Sequence, residues 1–326
     1  MKILVTGGTG FTGAALANFL AEQGHTVTVL DTKAGLSDDE LRRKGVQIVY
    51  GSVTDLPVVR QCVKDQEVVQ HLAAAFRKVS LPKRVYREVN VEGTRRLCQE
   101  AQKAGVRRVV ICSTQGVHGD VKEIPGNEDS PIAPEDFYQV TKYEAEEVAR
   151  SYGAKGLEIS ILRPTAIYGP GDPGRFLMIF RMVQKGRFLM FGDGSACYHP
   201  VYIDNLCAGF ARAGEADAPL GTYLIADRDY VTIADLVKRT AAAMGTAVKI
   251  VQLPFWPLYA ASTACEALCM PLRIEPPLFR RRADWYRQNR AFRIDRAVRE
   301  LGYDPAIGLD EGLRRTGDWY RANAYL

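Results

Sequence analysis

The stretch Met1-Lys-Ile-Leu-Val-Thr-Gly-Gly-Thr-Gly-Phe-Thr-Gly13 decides the fold. Ile3-Leu4-Val5 reads as a short buried strand that runs directly into Gly7, Gly10 and Gly13, spaced G-x-x-G-x-x-G. Glycines at that spacing let the backbone turn tightly, approach a phosphate closely and pack the following helix on its strand. The helix carries Leu16, Phe19 and Leu20 on one face, Gly24 ends it, and Thr26-Val-Thr-Val-Leu30 is the next strand, with Asp31 at its C-terminal end. A helix N-terminus offers unpaired N–H groups and the positive end of its dipole to a pyrophosphate, and a carboxylate at Asp31 suits a ribose diol. Together these are the parts of a βαβ dinucleotide-binding unit.

Outward from this unit, strands and helices keep alternating. A short helix is expected over 37–44, a strand over 46–50, a helix over 56–63 and a strand over 67–72 whose exit, Ala73-Ala74-Ala75, is all small. A helix over 90–101 follows, stopped by Gly105, then a β-branched strand over 106–112 that delivers Ser113-Thr114 to its C-terminal end. Alternation of this kind gives an α/β protein with a doubly wound parallel sheet, a Rossmann fold, whose ligands lie beyond the carboxyl ends of the strands. The loop Tyr168-Gly-Pro-Gly-Asp-Pro-Gly174 is the sharpest break in composition. It divides a dinucleotide-binding domain, 1–169, from a smaller C-terminal substrate lobe, 170–326, with segments near 200–230 returning to the sheet. Thr232 is expected to cap a helix over 232–244.

The 326 residues carry a formal charge of only +5 with no basic tail, which favours a small anionic ligand over nucleic acid. Seven cysteines show no C-x-x-C pair and the four histidines are scattered, so no metal site is expected. The N-terminus reads as a core strand with no leader, and a reducing cytoplasm is the expected location. Residues 251–272 hold Phe255, Trp256, Leu258, Leu268 and Met270 with Glu266 as their single charge, interrupted by Pro254, Pro257 and Pro271. The prolines favour a buried helix of the C-terminal lobe over the alternative, a weak membrane-surface contact.

Tyr138 and Lys142 stand four residues apart on an expected helix, which puts both side chains on one face. A tyrosine with a reference pKa of about 10 is a poor base at neutral pH, and an ammonium beside it favours the phenolate. Thr114, at a strand end in the same crevice, can donate to a substrate oxygen. The three groups suit removal of a proton from an alcohol as its hydride leaves.

With these pieces in place the chain resembles the extended short-chain dehydrogenase/reductases, which include NAD-dependent sugar epimerases and dehydratases and the 3β-hydroxysteroid dehydrogenases. The resemblance runs over essentially the full length. It rests on Thr6-Gly-Gly-Thr-Gly-Phe-Thr-Gly13, His71-Leu-Ala-Ala74, Asn90-Val-Glu-Gly-Thr94, Ser113-Thr114, Tyr138-x-x-x-Lys142, Arg163-Pro164, Tyr168-Gly-Pro-Gly-Asp172, Val201-Tyr-Ile-Asp204 and Leu301-Gly-Tyr-Asp-Pro305.

The resemblance implies NAD as cofactor. Gly7, Gly10, Phe11, Thr12 and Gly13 would sit on the pyrophosphate, Asp31 on the adenosine ribose, and Ser52 and Val53 at the adenine. Leu72, Ala73, Ala74 and Cys112 would line the cofactor, with Asn90 supporting the site and Pro164 near the nicotinamide. Thr114, Tyr138 and Lys142 would form the catalytic triad, with Tyr138 and Lys142 also touching the cofactor. Gln115, Arg175 and Tyr198 would meet the substrate.

Two departures from the family pattern bear on ligands. Ser52 replaces the usual aspartate at the adenine, and Lys33 near Asp31 weakens the preference for NAD over NADP. Tyr198 stands where sugar-nucleotide members carry a diphosphate-binding arginine, leaving Arg175, Arg181 and Arg187 as substitute cations. His118 stands where many sugar-active members have tyrosine. The substrate is therefore either a sugar nucleotide or a sterol- or lipid-like alcohol. Gln115-Gly116, in place of an acidic pair, disfavours dehydration. Relatives that serve as non-catalytic redox sensors generally lose the tyrosine or the lysine, and this chain keeps both. The resemblance also implies a homodimer through the helices around 91–103 and 138–152.

Overall fold

The computed structural model describes every residue except 77–80, 173, 270 and 273, and leaves the Arg175 side chain undescribed. The opening stretch forms β1 (Lys2–Thr6) and α1 (Phe11–Glu22), followed by β2 (Thr26–Asp31), α2 (Asp38–Arg43), β3 (Gln47–Tyr50), α3 (Leu56–Val63) and β4 (Val68–His71). A helix longer than expected comes next: α4 (Lys83–Tyr86), a π-helical turn (Arg87–Glu92) and α5 (Gly93–Lys103). Then come β5 (Arg108–Cys112), α6 (Phe137–Gly153) and β6 (Glu158–Pro164). The remaining elements are β7 (Ala166–Tyr168), α7 (Arg175–Gln184), β8 (Arg187–Phe191), β9 (Cys197–Tyr198), β10 (Pro200–Tyr202), α8 (Ile203–Gly214), β11 (Thr222–Ile225), β12 (Val231–Thr232), α9 (Ile233–Ala243), β13 (Lys249–Leu253), α10 (Phe255–Cys269), α11 (Arg280–Ala283) and α12 (Leu309–Ala322).

Seven strands make one sheet in the order β11-β6-β5-β4-β1-β2-β3. Every pair in it is parallel, with Leu4 opposite Thr28 on one side and Val69 on the other. The strands are near-continuous apolar runs because helices cover both faces. On one face α1 packs against α8, and on the other α3, α5 and α6 close a separate cluster around Leu97, Val109 and Ile161. The chain steps outward from β1 to β3, then returns to β4 beside β1 and proceeds the other way. That reversal opens a crevice at the strand ends, where ligands of such sheets bind.

Two readings from the sequence need correction here. Pro200-Val-Tyr-Ile203 reads as a strand, but only Pro200–Tyr202 is extended; it pairs with β7, and Ile203 starts α8. Residues 251–272 are not a buried helix. Within α10 only Ser262 and Glu266 are buried, while Trp256 is 73% exposed and Leu268 72%. Thr232 does cap α9, its hydroxyl accepting from Asp235 N.

Asp227 ties the late elements together. Its Oδ1 accepts from Tyr202 N at 2.9 Å and from Asn205 Nδ2 at 2.7 Å, and Tyr168 donates to Oδ2 at 3.4 Å. Burial outweighs these donors and pushes its carboxyl up to about 6. A carboxyl that holds its proton more tightly folded than unfolded lowers stability as pH rises, here between about 4 and 6. Asp227→Asn keeps Oδ1 for both N–H donors and offers its amide to the Tyr168 hydroxyl. Thermal melts from pH 4 to 7 should show the wild type losing about 2–3 kcal/mol relative to this variant. Parallel pH profiles would refute it.

Candidate active site

The crevice is a cleft of about 800 Å³ lined by the glycine loop, the ends of β2, β4, β5 and β6, and the start of α6. Gly7, with φ +72°, bends the chain where a Cβ would lie 2.8 Å from Ala73 N, and a Cβ on Gly13 would lie 2.1 Å from the Gly7 carbonyl oxygen. Strand, loop and helix thus touch backbone to backbone. Gly10 caps α1 without a side chain, so the first N–H groups of the helix reach the cleft uncovered at Phe11, Thr12 and Gly13. The loop is pinned to β2 by Gly7 N to Leu30 O at 2.7 Å, Thr9 N to Asp31 Oδ2 at 3.2 Å and Thr9 Oγ1 to Lys33 O at 2.8 Å.

Of the positions expected at the cofactor, Gly7, Gly10, Phe11, Thr12, Gly13, Asp31, Ser52, Val53, Leu72, Ala73, Ala74, Cys112 and Pro164 line the cleft, as do Thr114, Gln115, Tyr138 and Tyr198. Asn90 and Lys142 lie behind its wall, both buried. The Arg175 side chain falls outside the described residues. Arg181 donates to Tyr325 O, and neither it nor Arg187 is a wall residue. Among the described residues, the cations in the cleft wall besides Lys33 are Arg281 and Arg290. The basic run at 280–282 was visible in the sequence, but nothing local tied it to a crevice formed some 150 positions earlier. Phe76 and Asp136 are further wall residues the motifs did not mark.

Asn90 supports the site through a hydrogen-bonded chain. Ala73 N donates to Thr6 Oγ1, and Thr6 Oγ1 lies 2.7 Å from His71 Nδ1. The other ring nitrogen, Nε2, is 3.0 Å from Thr94 Oγ1, which donates to Asn90 O. With the Thr94 proton used, Nε2 must carry the imidazole hydrogen, an assignment made from the network. Burial presses the His71 pKa down to about 3, so the ring is neutral. Asn90 accepts from Ala75 N and donates to Thr141 Oγ1, which bonds to Tyr138 O. The glycine loop and the tyrosine helix are one connected unit.

Thr114 follows β5 in extended backbone and its hydroxyl accepts from Gly116 N at 3.1 Å, which leaves the O–H to donate. Tyr138 is the second residue of α6, its ring edge-on to Phe76 with centroids 4.8 Å apart. A capping box between Asp136 and Gln139 fixes this helix start, and Arg281 holds the other Asp136 oxygen at 3.0 Å. Burial lowers the Lys142 pKa, while Cys112 and Glu146 oppose that shift.

Beneath Lys142, one turn on, Glu146 accepts from Ser113 Oγ, from Arg163 at 2.9 and 2.6 Å and from Arg150 at 2.8 Å. Burial works to raise its pKa, but Arg163, Ser113 and Arg150 together outweigh it and hold the carboxyl low. His118 belongs to this foundation. Its Nδ1 faces the Ser130 and Pro131 carbonyls and its Nε2 accepts from Arg163.

The donors fit a dinucleotide: an uncapped helix N-terminus, an acid at the end of β2 and an all-alanine shelf from 73 to 75. Comparison with known proteins agrees. Residues 3–226 match the NAD dependent epimerase/dehydratase family. The chain is 32% identical to a 2-alkyl-3-oxoalkanoate reductase of Stenotrophomonas maltophilia, over 97% of this chain and 98% of that protein. It is 29% identical to a 3 beta-hydroxysteroid dehydrogenase/Delta 5-->4-isomerase of Mycobacterium tuberculosis, over 98% and 90% respectively. Among solved structures, a Thermotoga maritima UDP-glucose 4-epimerase with UDP-glucose superposes with a TM-score of 0.79 at 26% identity, covering 99% of this chain and 100% of that one. The DesIV dTDP-glucose 4,6-dehydratase of Streptomyces venezuelae, with NAD bound, gives 0.78 at 26%, covering 99% and 98%. The chain belongs to the NAD-dependent epimerase/dehydratase family, within the extended short-chain dehydrogenases/reductases, and its cofactor is NAD.

Proposed function

We propose that the chain is an NAD-dependent oxidoreductase acting on the secondary alcohol or ketone of a lipid-like acid, a 3-hydroxy or 3-oxo carboxylate with an alkyl body. The observation that carries this reading is the make-up of the cleft beyond Thr114 and Tyr138: aromatic walls from Phe76 and Tyr198, and two guanidinium groups from Arg281 and Arg290. Aromatic faces suit an alkyl chain, and a guanidinium suits a carboxylate through paired hydrogen bonds. The 2-alkyl-3-oxoalkanoate reductase among the relatives supports the same class. NAD supplies the hydride chemistry. In oxidation the Tyr138 oxygen takes the hydroxyl proton, and in ketone reduction it gives that proton back. Thr114 donates to the same substrate oxygen. Lys142 and the positive end of α6 stabilise negative charge on the tyrosine oxygen as the proton moves.

Two guanidiniums in one cleft would also suit a diphosphate, which keeps a sugar nucleotide as the second reading. Absorbance of NADH at 340 nm, followed with 2-alkyl-3-oxo acids of medium chain length and their methyl esters, beside chromatography of UDP- or dTDP-hexoses incubated with the protein and NAD, separates the two. The free acid should be reduced, and its ester should lose about 10- to 100-fold in kcat/KM, the worth of a charge-assisted hydrogen bond of about 1.5–3 kcal/mol. Conversion of a nucleotide sugar, with the oxo acids inert, would overturn the proposal.

A further inference from the structure

Helix α10 is built inside out. Phe255 and Leu258 touch the core at its N-terminal end, and beyond them its two buried residues are polar, Ser262 and Glu266. Glu266 is spent internally, accepting from Arg280 N at 2.7 Å and from Arg280 Nε at 2.8 Å. The outward face holds Trp256, Ala260, Ala264, Ala267 and Leu268 and no charged residue. Leu272 and Ile274 extend the apolar surface, 69% and 55% exposed. Helices that meet only water carry charge on the outside, so an uncharged face of this kind marks a contact with something apolar.

The rim supplies the charge. Between positions 251 and 290 the sequence holds six arginines against Glu266, Glu275 and Asp284, with Arg281 and Arg290 taken by the cleft wall. Arg280, Arg282 and Arg287 are exposed, with Arg282 stacked over Phe279 at 5.1 Å. An apolar face with an outward tryptophan and an arginine rim is the pattern of a helix lying in the headgroup layer of an anionic bilayer. Among the described residues no helix is long and apolar enough to cross a membrane, so the contact lies in the surface plane. We infer that α10, with Leu272 and Ile274 beyond it, docks the protein on an anionic lipid surface. The Arg281–Asp136 bond joins the following α11 to the start of the tyrosine helix at the cleft. Docking therefore sets the substrate end of the cleft beside the bilayer, where a lipid-like substrate would be dissolved.

Flotation of the full chain with vesicles of phosphatidylcholine alone, or with about a third phosphatidylglycerol, tests this without turnover, so its outcome is independent of the substrate reading. Binding should need the anionic lipid and weaken with salt. Trp256→Ser with Leu268→Ser should lower it at least tenfold, and Arg282→Gln about fivefold, the worth of one basic residue at such a surface. Turnover of a soluble substrate should be unchanged in both. In the wild type, brominated lipid should quench the tryptophan emission. Absence of flotation at millimolar anionic lipid would overturn the inference, as would equal binding by the double variant. So would a dimer by light scattering that the double variant converts to monomer while vesicles are ignored, which would assign the face to a second copy of the chain.

Discussion

Replacing Tyr138 with phenylalanine should lower kcat by about 10²- to 10⁴-fold, the usual worth of a positioned acid or base, while NAD affinity stays within about twofold. The ring remains and keeps its edge-on packing against Phe76, so the start of α6 is undisturbed. The cofactor's pyrophosphate end is held elsewhere, by the glycine loop and the uncapped N-terminus of α1. A large fall in kcat with cofactor binding intact therefore separates chemistry from binding. Steady-state kinetics beside a calorimetric NAD titration would read both, and residual turnover within tenfold of wild type would mean that another group carries the proton.

Gly13→Ala should damage the protein at the opposite end of the same cleft. The added methyl would lie 2.1 Å from the Gly7 oxygen and 2.7 Å from Gly8 Cα, and both obstacles are backbone. No rotamer change relieves that contact, so α1 must tilt away from β1. Overpacking of this kind costs about 1–3 kcal/mol, and the tilt also takes the Phe11 and Thr12 amides off the phosphate position. Melts without cofactor should drop by several degrees, and saturating NAD should fail to restore the usual stabilisation. Gly10→Ala is the informative contrast, because its methyl meets only the Gly7 oxygen, at 3.4 Å. It should melt close to wild type without NAD yet respond weakly to the cofactor, since Gly10 faces the cleft. A Gly13→Ala protein that melts and binds NAD like the wild type would refute the packing argument.

The first half of the molecule was legible because its signals are local: β-branched runs, glycine stops and a helical period decide each element on its own. The site residues marked there, from Gly7 to Tyr138, stand together because a parallel sheet brings all its strand ends to one edge. What failed was tertiary. Ile203 sits in an apolar run that suits strand or helix equally, and its helical choice follows from packing α8 across α1 and the sheet. Helix α10 has few charges to orient it, so composition suggested burial where the fold turns its two polar positions inward. Arg281 and Arg290 reach the cleft only because the chain returns to it after α10, which no short-range pattern records.

The ion cluster under Lys142 has a consequence for how this sequence can change over generations. Glu146 is wholly buried and Arg163 nearly so, and Glu146 is the acid that Arg163 pairs with. Losing Glu146 strands the buried Arg163 charge, at a cost of about 3–5 kcal/mol, whereas exchanging both for well-packed neutral groups can be close to neutral. A first step at Glu146 is therefore steeply uphill although a better-fitting neighbour exists two steps off. Drift at a cleft-wall residue outside the ion cluster, such as Gln115, meets no such barrier. The lineage is free to retune its substrate while the floor beneath the lysine stays as it is.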